Sequence, residues 1–392
     1  MHNDTSFFKT WVEVDNRALL HNFSVIQKHV GKDVAVMAIV KSNAYGHGLL
    51  EVAQTLKTVG GWSSEYSELQ PPTVWFGVDN IDEALAVKKE GIKNPILILG
   101  YIPRSRLTEV VKDGFRFALY DIDVLKECAR IAKKLKKKAF VHIKMETGTY
   151  RQGVMPEDIN AFTKAIKRYR EYVVAEGIYT HFADTENISS AYYKEQLNVF
   201  EKIVSLFKEL GITPRYCHTA ASAATLLYPK TFFNMVRWGI GLYGLYPSKD
   251  VQSLALNNVK LKPVLAWKTR IVQIKIVPKG STIGYNRAFK ASQPMKIAIL
   301  PVGYWDGYDR RFSSNGMVLV HGRRCAVVGR ICMNMCMADV TGIRSVRTGD
   351  EVVLLGRQGS EEITTEEIAA KIGTINYEVI TRINSLIPRM VI

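Results

Sequence analysis

Short apolar runs alternate with amphipathic segments from residue 34 to about residue 244. Each run has the length and β-branched content of a strand buried on both faces, and all but the last precede a helical pattern. The eight runs are VAVMAIV (34–40), TVWFGV (73–78), PILILG (95–100), FRFALYD (115–121), KAFVHIKM (138–145), VVAEGIYTHF (173–182), YCHTAAS (216–222) and NMVRWGIGLYG (234–244). Eight such regular units predict an α/β fold, a parallel (β/α)8 barrel of the TIM type, rather than a doubly wound sheet.

The pattern changes after residue 248 to alternating strands and turns, which indicates a separate, mostly β domain. We therefore expect a barrel domain over residues 1–248 and a β-rich C-terminal domain over residues 249–392, with segment 10–15 as a candidate strand for the second domain. One helix is predicted in that domain, beginning at Thr364 with Glu367 three residues on and ending at Gly373. The polar insert at residues 60–72 predicts a surface loop.

Composition and charge narrow the class of protein. With 53 basic and 37 acidic residues the net charge is +16, which raises nucleic acid or a membrane surface as partners. Much of that charge lies in segments such as KECARIAKKLKKK (126–138), where helical spacing leaves the charges on an outer face. No recognition motif accompanies the charge, so we expect neither nucleic acid nor a membrane as a partner.

Cysteine usage and the N-terminal segment indicate a cytoplasmic protein. The five cysteines form no CxxC pair and are odd in number, in keeping with reduced thiols. Neither an HExxH motif nor paired doublets at zinc spacing are present in the sequence, so no metal is expected. The first residues lack the basic and apolar regions of a signal peptide, and no run approaches the ~20 apolar residues that span a bilayer.

Candidate chemistry gathers where the predicted strands end. The segment VMAIVKSNAYGHG (36–48) ends an apolar strand at Lys41, where desolvation favours the neutral amine that a Schiff base requires. A lysine that merely extends along a strand end is the alternative interpretation of this segment alone. Four further polar or basic residues fall at the carboxyl ends of predicted strands, where barrel enzymes carry their active sites: Lys144, His181, Ser222 and Arg237.

Taken together, these segments resemble the alanine racemases, pyridoxal-phosphate enzymes with a barrel followed by a β domain, over nearly the whole chain. The segments that carry the resemblance are VMAIVKSNAYGHG, KMETGTYRQGV (144–154), YTHFADTE (179–186), HTAASAATL (218–226), NMVRWGIGLYG, STIGYNRAF (281–289), ICMNMCM (331–337) and NYEV (376–379). The resemblance implies pyridoxal 5'-phosphate as cofactor, with these contacts: Lys41 as Schiff base, Tyr45, Ser222 and the amides of Gly239 and Ile240 at the phosphate, His181 near the ring, Arg237 at the pyridine nitrogen, and Tyr377 from the second domain.

The same resemblance implies how the reaction proceeds. Racemisation needs two bases on opposite faces of the cofactor, and these are Lys41 for the D-enantiomer and Tyr285 for the L-enantiomer. A phenol acting as a base needs a nearby cation that favours phenolate, and His181 is our candidate for it. The substrate carboxylate is assigned to Arg151 and the backbone amide of Met333. Because Tyr285 and Met333 come from the second domain, the resemblance also implies a head-to-tail homodimer with shared active sites.

Lys144 beside Arg151 would place two cations together. In many of the resembled enzymes this lysine is carbamylated, which makes it an anion, and we expect the same here. Glu146 is the alternative source of negative charge, since the two-residue period places it on the same face of the strand as Lys144 and His142.

Several residues depart from the family's usual pattern near the substrate end, namely Glu146, Thr149, Tyr150, Ala221 and Asn334. They leave the cofactor residues and both bases in place, but they allow small amino acids other than alanine as substrate. Serine is the nearest rival to alanine, because a site that holds a methyl group rejects an added hydroxyl only weakly. Amino-acid decarboxylases and a single-domain pyridoxal-phosphate carrier share the barrel but fit less well, because the carrier has no second domain and the decarboxylases' cysteine- and aspartate-bearing motif is not found.

Overall fold

The computed structural model describes residues 5–57, 59 and 74–392, so the insert at 60–72 lies outside the described residues. The chain divides into two compact units. The barrel unit comprises Ala18–Ala44 and Val52–Lys262, and the β unit comprises Met1–Arg17, Tyr45–Glu51 and Pro263–Ile392. Within the described residues, none of the helices combines the length and apolarity that crossing a bilayer requires.

Eight parallel strands form the barrel unit in the spatial order β8-β7-β6-β5-β4-β3-β2-β9. The strand β1 (Thr10–Val14) precedes them and belongs to the β unit. The barrel strands are β2 (Ala35–Ile39), β3 (Val74–Val78), β4 (Ile96–Ile98), β5 (Arg116–Leu119), β6 (Ala139–Lys144), β7 (Val173–Tyr179), β8 (Tyr216–His218) and β9 (Met235–Trp238). Each lies within one of the eight predicted apolar runs, and the barrel fold is confirmed.

The barrel is nearly closed where β8 approaches β9. No ladder joins these two strands; instead the Asn234 side chain accepts from the Cys217 amide at 2.7 Å and donates to the Arg215 carbonyl at 2.7 Å. Further along, the Arg237 amide donates to the Ala220 carbonyl at 3.0 Å. One side chain thus satisfies backbone groups that a ladder would otherwise pair.

Amphipathic helices cover the barrel strands. In α6, Leu125, Cys128 and Ala132 are buried, whereas the lysines of segment 126–138 are exposed, as the helical spacing predicts. The helices up to the end of this unit are α1 (Asn16–Val30), α2 (Lys41–Tyr45), α3 (Leu49–Leu56), α4 (Ile81–Lys89), α5 (Leu107–Asp113), α6 (Ile122–Leu135), α7 (Ile159–Arg168), α8 (Tyr192–Glu209), α9 (Ser222–Leu227) and α10 (Lys249–Ala255).

The β unit contains a seven-stranded sheet, a three-stranded sheet and a two-stranded ribbon. Its further strands are β10 (Leu265–Arg270), β11 (Gln273–Val277), β12 (Thr282–Ile283), β13 (Phe289–Lys290), β14 (Met295–Leu300), β15 (Met317–Val320), β16 (Arg323–Ala326), β17 (Cys336–Asp339), β18 (Glu351–Gln358), β19 (Glu361–Ile363) and β20 (Arg389–Val391). In the largest sheet β1 lies between β10 and β20, so the chain's two ends meet in one sheet.

Two helices lie in the C-terminal part of the β unit, where one was predicted. The helix α11 (Thr365–Ile372) has the predicted ends, because the Thr364 hydroxyl accepts from the Glu367 amide at 3.1 Å and Gly373 is left-handed. The helix α12 (Asn376–Thr381) was missed. It has six residues and no side-chain cap, so the prediction of a single helix was incomplete for want of a start signal.

Candidate functional site

Lys41 follows β2 at the mouth of the barrel and begins α2, which is a left-handed turn. Ser42, Asn43, Ala44 and Tyr45 all have φ between 51° and 56°. For residues other than glycine this conformation costs roughly 1–2 kcal/mol each, so contacts elsewhere must hold the turn. The apolar run predicted the strand and its end at Lys41. Of the four left-handed residues only Asn43 is of a type that favours this conformation, so the sequence did not predict the turn's handedness.

Glu83 on α4 supplies contacts that hold the turn. Its carboxylate accepts the Ser42 amide at 2.6 Å and the Asp79 amide at 2.7 Å, which ties the loop after β2 to the loop after β3. The Ala44 amide also donates to the Val40 carbonyl at 2.8 Å. Glu83 was not predicted as a site residue. Its signal in the sequence is the Asn80-x-x-Glu83 start of a helix, and its side chain accepts hydrogen bonds from outside that helix.

Arg237 is buried on β9 with hydrogen-bond acceptors around four of its five N–H groups. Nη1 donates to Nδ1 and the carbonyl of His218 at 2.8 and 3.1 Å, and Nη2 donates to the carbonyls of Thr180 and Thr219 at 2.9 and 2.8 Å. The Nε–H makes no hydrogen bond within the described chain, and no carboxylate there forms an ion pair with Arg237. Burial lowers the pKa of Arg237 to about 10, so the guanidinium stays charged at neutral pH.

His181 lies two residues beyond β7, with its Nδ1 3.3 Å from Nη2 of Arg237. Burial, and then the nearby Arg237 and Arg151 cations, hold the pKa of His181 well below its usual value. The imidazole is therefore neutral. This corrects the expectation that His181 is the cation favouring a tyrosine phenolate; the positive charge at this position resides on Arg237.

Ser222 and the loop after β9 form a cluster of hydrogen-bond donors. The buried Ser222 hydroxyl oxygen accepts from the amides of Gly239 and Gly241 at 3.1 and 3.4 Å. Its own hydrogen meets no acceptor within the described residues and is free to donate. Ile240 lies between these two glycines and begins a 3₁₀ turn that continues to Tyr243. Such a cluster suits an anion bearing several oxygens.

Lys144, the last residue of β6, is buried and has no carboxylate partner among the described residues. Its Nζ donates to Oε1 of Gln152 at 3.1 Å. Burial, together with Arg151 and Arg237, lowers the pKa of Lys144 to about 8. Gln152 was not singled out from the sequence, although it directly follows Arg151 in a segment that was.

Glu146 is occupied by its own loop. Although burial opposes its ionisation, backbone N–H groups hold the pKa of its carboxyl below the usual value. Its oxygens accept from the amides of Gly148, Thr149 and Arg151 at 2.6, 2.7 and 3.3 Å. Glu146 is therefore an anion whose lone pairs are directed at the backbone. It forms no ion pair with Lys144 or Arg151 among the described residues, but its charge opposes the lowering of the Lys144 pKa.

The remaining predicted residues lie in the β unit. Tyr285, in a 3₁₀ turn after Gly284, is 70% exposed, and Met333 is 54% exposed. Tyr45 and Tyr377 pack together with ring centroids 6.2 Å apart, and burial raises the pKa of Tyr45 to about 12. The structure thus gathers one set of predicted residues at the strand ends of the barrel unit and another set within the β unit.

A barrel with a lysine at a strand mouth and an anion-binding donor cluster fits the class of pyridoxal 5'-phosphate enzymes. Two families match the chain: "Alanine racemase, N-terminal domain" over residues 14–247 and "Alanine racemase, C-terminal domain" over residues 264–391. The chain belongs to the alanine racemase family, whose members are amino-acid racemases dependent on pyridoxal 5'-phosphate.

Individual relatives are similar over nearly their full length. An alanine racemase of Methanococcus maripaludis is 38% identical over 97% of this chain and 98% of its own, and alanine racemase 1 of Caldanaerobacter subterraneus is 40% identical over 97% and 94%. Among solved structures, alanine racemase from Bacillus anthracis with bound L-Ala-P is 34% identical with a TM-score of 0.89, covering 98% of this chain and 95% of that one.

The residues present fit pyridoxal 5'-phosphate. Lys41 at the strand mouth offers an amine for covalent attachment, and the free hydrogen of Ser222 with the neighbouring amides suits a phosphate. The unused Nε–H of Arg237 suits an aromatic ring nitrogen, which accepts one hydrogen bond. These three groups all lie in the barrel unit.

Proposed function

We propose that this protein interconverts L-alanine and D-alanine with two bases, Lys41 and Tyr285, and thereby supplies D-alanine for peptidoglycan. The observation that carries the proposal is the buried Arg237, whose guanidinium lacks a carboxylate partner in the described chain and keeps one N–H unused. Full-length similarity to alanine racemases supports alanine as the substrate.

Lys41, Tyr285 and Arg237 have different roles in the proposed reaction. When bound, pyridoxal 5'-phosphate supplies an electron sink that makes the substrate's α-proton removable. Lys41 Nζ takes or returns that proton on one face, and the Tyr285 hydroxyl does so on the other. Arg237 donates a hydrogen bond to the ring nitrogen but keeps its proton, because a guanidinium stays ionised. That weakens the electron sink and limits side reactions such as transamination.

Further residues are assigned to binding the cofactor and the substrate. Ser222, Tyr45 and the amides of Gly239 and Ile240 hold the phosphate, while His181 and Tyr377 border the cofactor. Arg151 and the Met333 amide hold the substrate carboxylate. Arg151 is exposed and carries no ion pair among the described residues, which leaves it available to an anion. Lys144 is carbamylated in this proposal, and the anion so formed lies beside Arg151.

We further propose a homodimer in which each β unit completes the partner's site. The exposure of Tyr285 and Met333, whose roles require contact with substrate, supports this arrangement. The five cysteines, all unpaired, support a reducing cytoplasmic location. The match to both domain families disfavours a single-domain carrier of the cofactor.

Chiral chromatography of L-alanine and L-serine, each incubated with the holoenzyme, tests the proposal. We expect equal D- and L-alanine to be reached quickly, and no conversion by Lys41→Ala. Faster conversion of serine would reassign the substrate and implicate Thr149, Tyr150 and Asn334. A wild-type protein that holds the cofactor yet changes neither amino acid would contradict the racemase assignment.

A further inference from the structure

A chain of buried polar side chains continues from Arg237 through the barrel interior. Nε2 of His218 lies 2.9 Å from Nδ1 of His142, and Nε2 of His142 lies 3.6 Å from Oε2 of Glu176. Arg116 donates two hydrogen bonds to the Glu176 carboxylate, at 2.9 and 3.1 Å. Both histidines are fully buried, so water does not substitute for these partners.

The proton positions along this chain follow from Arg237. A guanidinium donates and never accepts, so Nδ1 of His218 must carry a lone pair towards Nη1. Burial lowers the pKa of both His218 and His142, so each ring is neutral and carries one proton. The proton of His218 is therefore on Nε2, which forces a lone pair onto Nδ1 of His142 and its proton onto Nε2, facing Glu176.

Glu176 is the acceptor that makes this arrangement favourable. Nε2 of His142 makes no hydrogen bond within the described residues, and its 3.6 Å contact with Oε2 of Glu176 is the one that offers it a charged acceptor. A buried N–H without an acceptor costs free energy. Although burial opposes ionisation, His142 and Arg116 hold the pKa of the Glu176 carboxyl at about 2. The carboxylate is thus an acceptor throughout the neutral range.

The local backbone is shaped for these contacts. Gly177 pairs with His142 across β6 and β7, and a Cβ at Gly177 would lie 2.4 Å from Nδ1 of His142. The register shifts between Val141 and His142, so Glu176 on β7 is left without a pairing residue on β6. A residue larger than glycine would displace the ring from His218.

We propose that Glu176, held by Arg116, is a positioning residue that fixes the tautomers of His142 and His218 and so orients the guanidinium of Arg237 in the active site. The inference rests on the proposed function for its catalytic consequence, but its structural part concerns only the histidine protons. Without an acceptor at position 176, the buried N–H at Nε2 of His142 has no partner, so moving the proton to Nδ1 lowers the free energy. That proton would face His218 and would reverse the direction of the hydrogen bonds as far as Arg237. The N–H at Nδ1 of His218 would then face the N–H at Nη1 of Arg237, and neither could accept.

The experiment records ¹⁵N spectra of the histidine rings in full-length holoenzyme, with the signals of His142 and His218 assigned by single substitution. In the wild type we expect both rings to carry the proton on Nε2. Glu176→Leu combined with Arg116→Met removes the acceptor without leaving an unpaired cation. In this double variant we expect His142 to distribute its proton over both nitrogens, and kcat to fall about tenfold with KM changed less than about twofold.

Two further variants separate positioning from folding. Glu176→Gln keeps an acceptor oxygen, so it should retain the Nε2 tautomers and most of kcat. Glu109→Leu is the matched control, because it removes the carboxylate of another two-bond arginine pair, formed with Arg106, and Glu109 lies on the outer helix α5. It should change neither the histidine tautomers nor kcat.

The proposal is wrong if the wild-type rings carry their protons on Nδ1, or if the double variant keeps both Nε2 tautomers. A loss of rate without a tautomer change would likewise overturn it in favour of a packing role. If the wild type racemised neither amino acid but the tautomers changed as expected, the positioning role would stand and the proposed function would fall.

Discussion

Arg237 carries its charge inside the barrel, where strand-end carbonyls surround it and no carboxylate of a described residue forms an ion pair with it. The carbonyls of His218, Thr180 and Thr219 accept from its two terminal nitrogens, and their positions are set by β7, β8 and the loops that follow. The planar fork matches these acceptors, while Nε remains for a ligand. The residue's role therefore depends on the shape of the guanidinium as well as on its charge.

Replacing Arg237 with lysine tests this dependence. Lysine keeps the charge but has three donors in place of five, so at least one of the four acceptors, which are three buried carbonyls and Nδ1 of His218, loses its donor. We expect the free energy of unfolding to fall by on the order of 3 kcal/mol and racemisation to slow. Urea unfolding and chiral chromatography measure the two effects, and Arg215→Lys on the surface should alter neither. An unchanged midpoint for Arg237→Lys would contradict the hydrogen-bond assignment.

Lys144 is suited to carbamylation because burial lowers its pKa to about 8. Only the neutral amine attacks carbon dioxide, forming the C–N bond and releasing a proton, so at fixed CO₂ pressure the carbamate should increase as pH rises through about 8. Carbon-13 NMR with labelled CO₂ should show a carbamate signal that is absent from Lys144→Gln and present in Lys138→Gln, an exposed lysine near the start of the same strand. A spectrum without that signal would leave Lys144 as an amine bonded to Gln152.

At the scale of elements, the left-handed turn α2 is maintained by its neighbour α4. Four consecutive residues adopt a conformation that costs free energy, and Glu83 accepts amides from both α2 and the loop after β3. The position of Lys41 relative to the barrel thus depends on a helix that follows the next strand.

Glu83→Gln should loosen the turn. An amide retains one acceptor oxygen where the carboxylate has two, so one backbone N–H loses its partner at a cost of about 1–3 kcal/mol. We expect weaker retention of the cofactor, measured by absorbance after dialysis, together with a lower midpoint of thermal unfolding. Asp82→Asn is the control, since Asp82 lies in the same first turn of α4 but faces solvent and Arg106. Equal cofactor retention by both variants would argue against the role of Glu83.

Elements with strong periodicity were predictable from the sequence, and elements fixed by tertiary contacts were not. The barrel runs are apolar and β-branched, so their strands follow from burial on both faces. The handedness of α2 depends on Glu83, 42 positions beyond Lys41, and the strands β12 and β13 have two residues each. Likewise, the resemblance pointed to Arg237, but only the structure places the buried His181 beside it, where burial and the nearby cations hold its pKa well below the usual value.

At the scale of the whole molecule, each unit gathers distant parts of the chain. The β unit joins β1 to β10 and β20, so its largest sheet requires both ends of the sequence. The predicted catalytic pair is likewise divided, with Lys41 in the barrel unit and Tyr285 in the β unit. A reaction that uses both residues requires the two units to act together, either within one chain or between two.

Subunit mixing decides between these arrangements. If each site takes Lys41 from one subunit and Tyr285 from its partner, a hybrid of Lys41→Ala and Tyr285→Phe chains has one site with both substitutions and one site with neither. Random pairing makes half of the dimers hybrid, each with one of its two sites intact, so the mixture should recover about a quarter of wild-type racemase activity. Each variant dissociated and reassociated alone is the control and should stay inactive. If both bases came from the same chain, every site in the hybrid would lack one base, and the mixture would remain as inactive as its components.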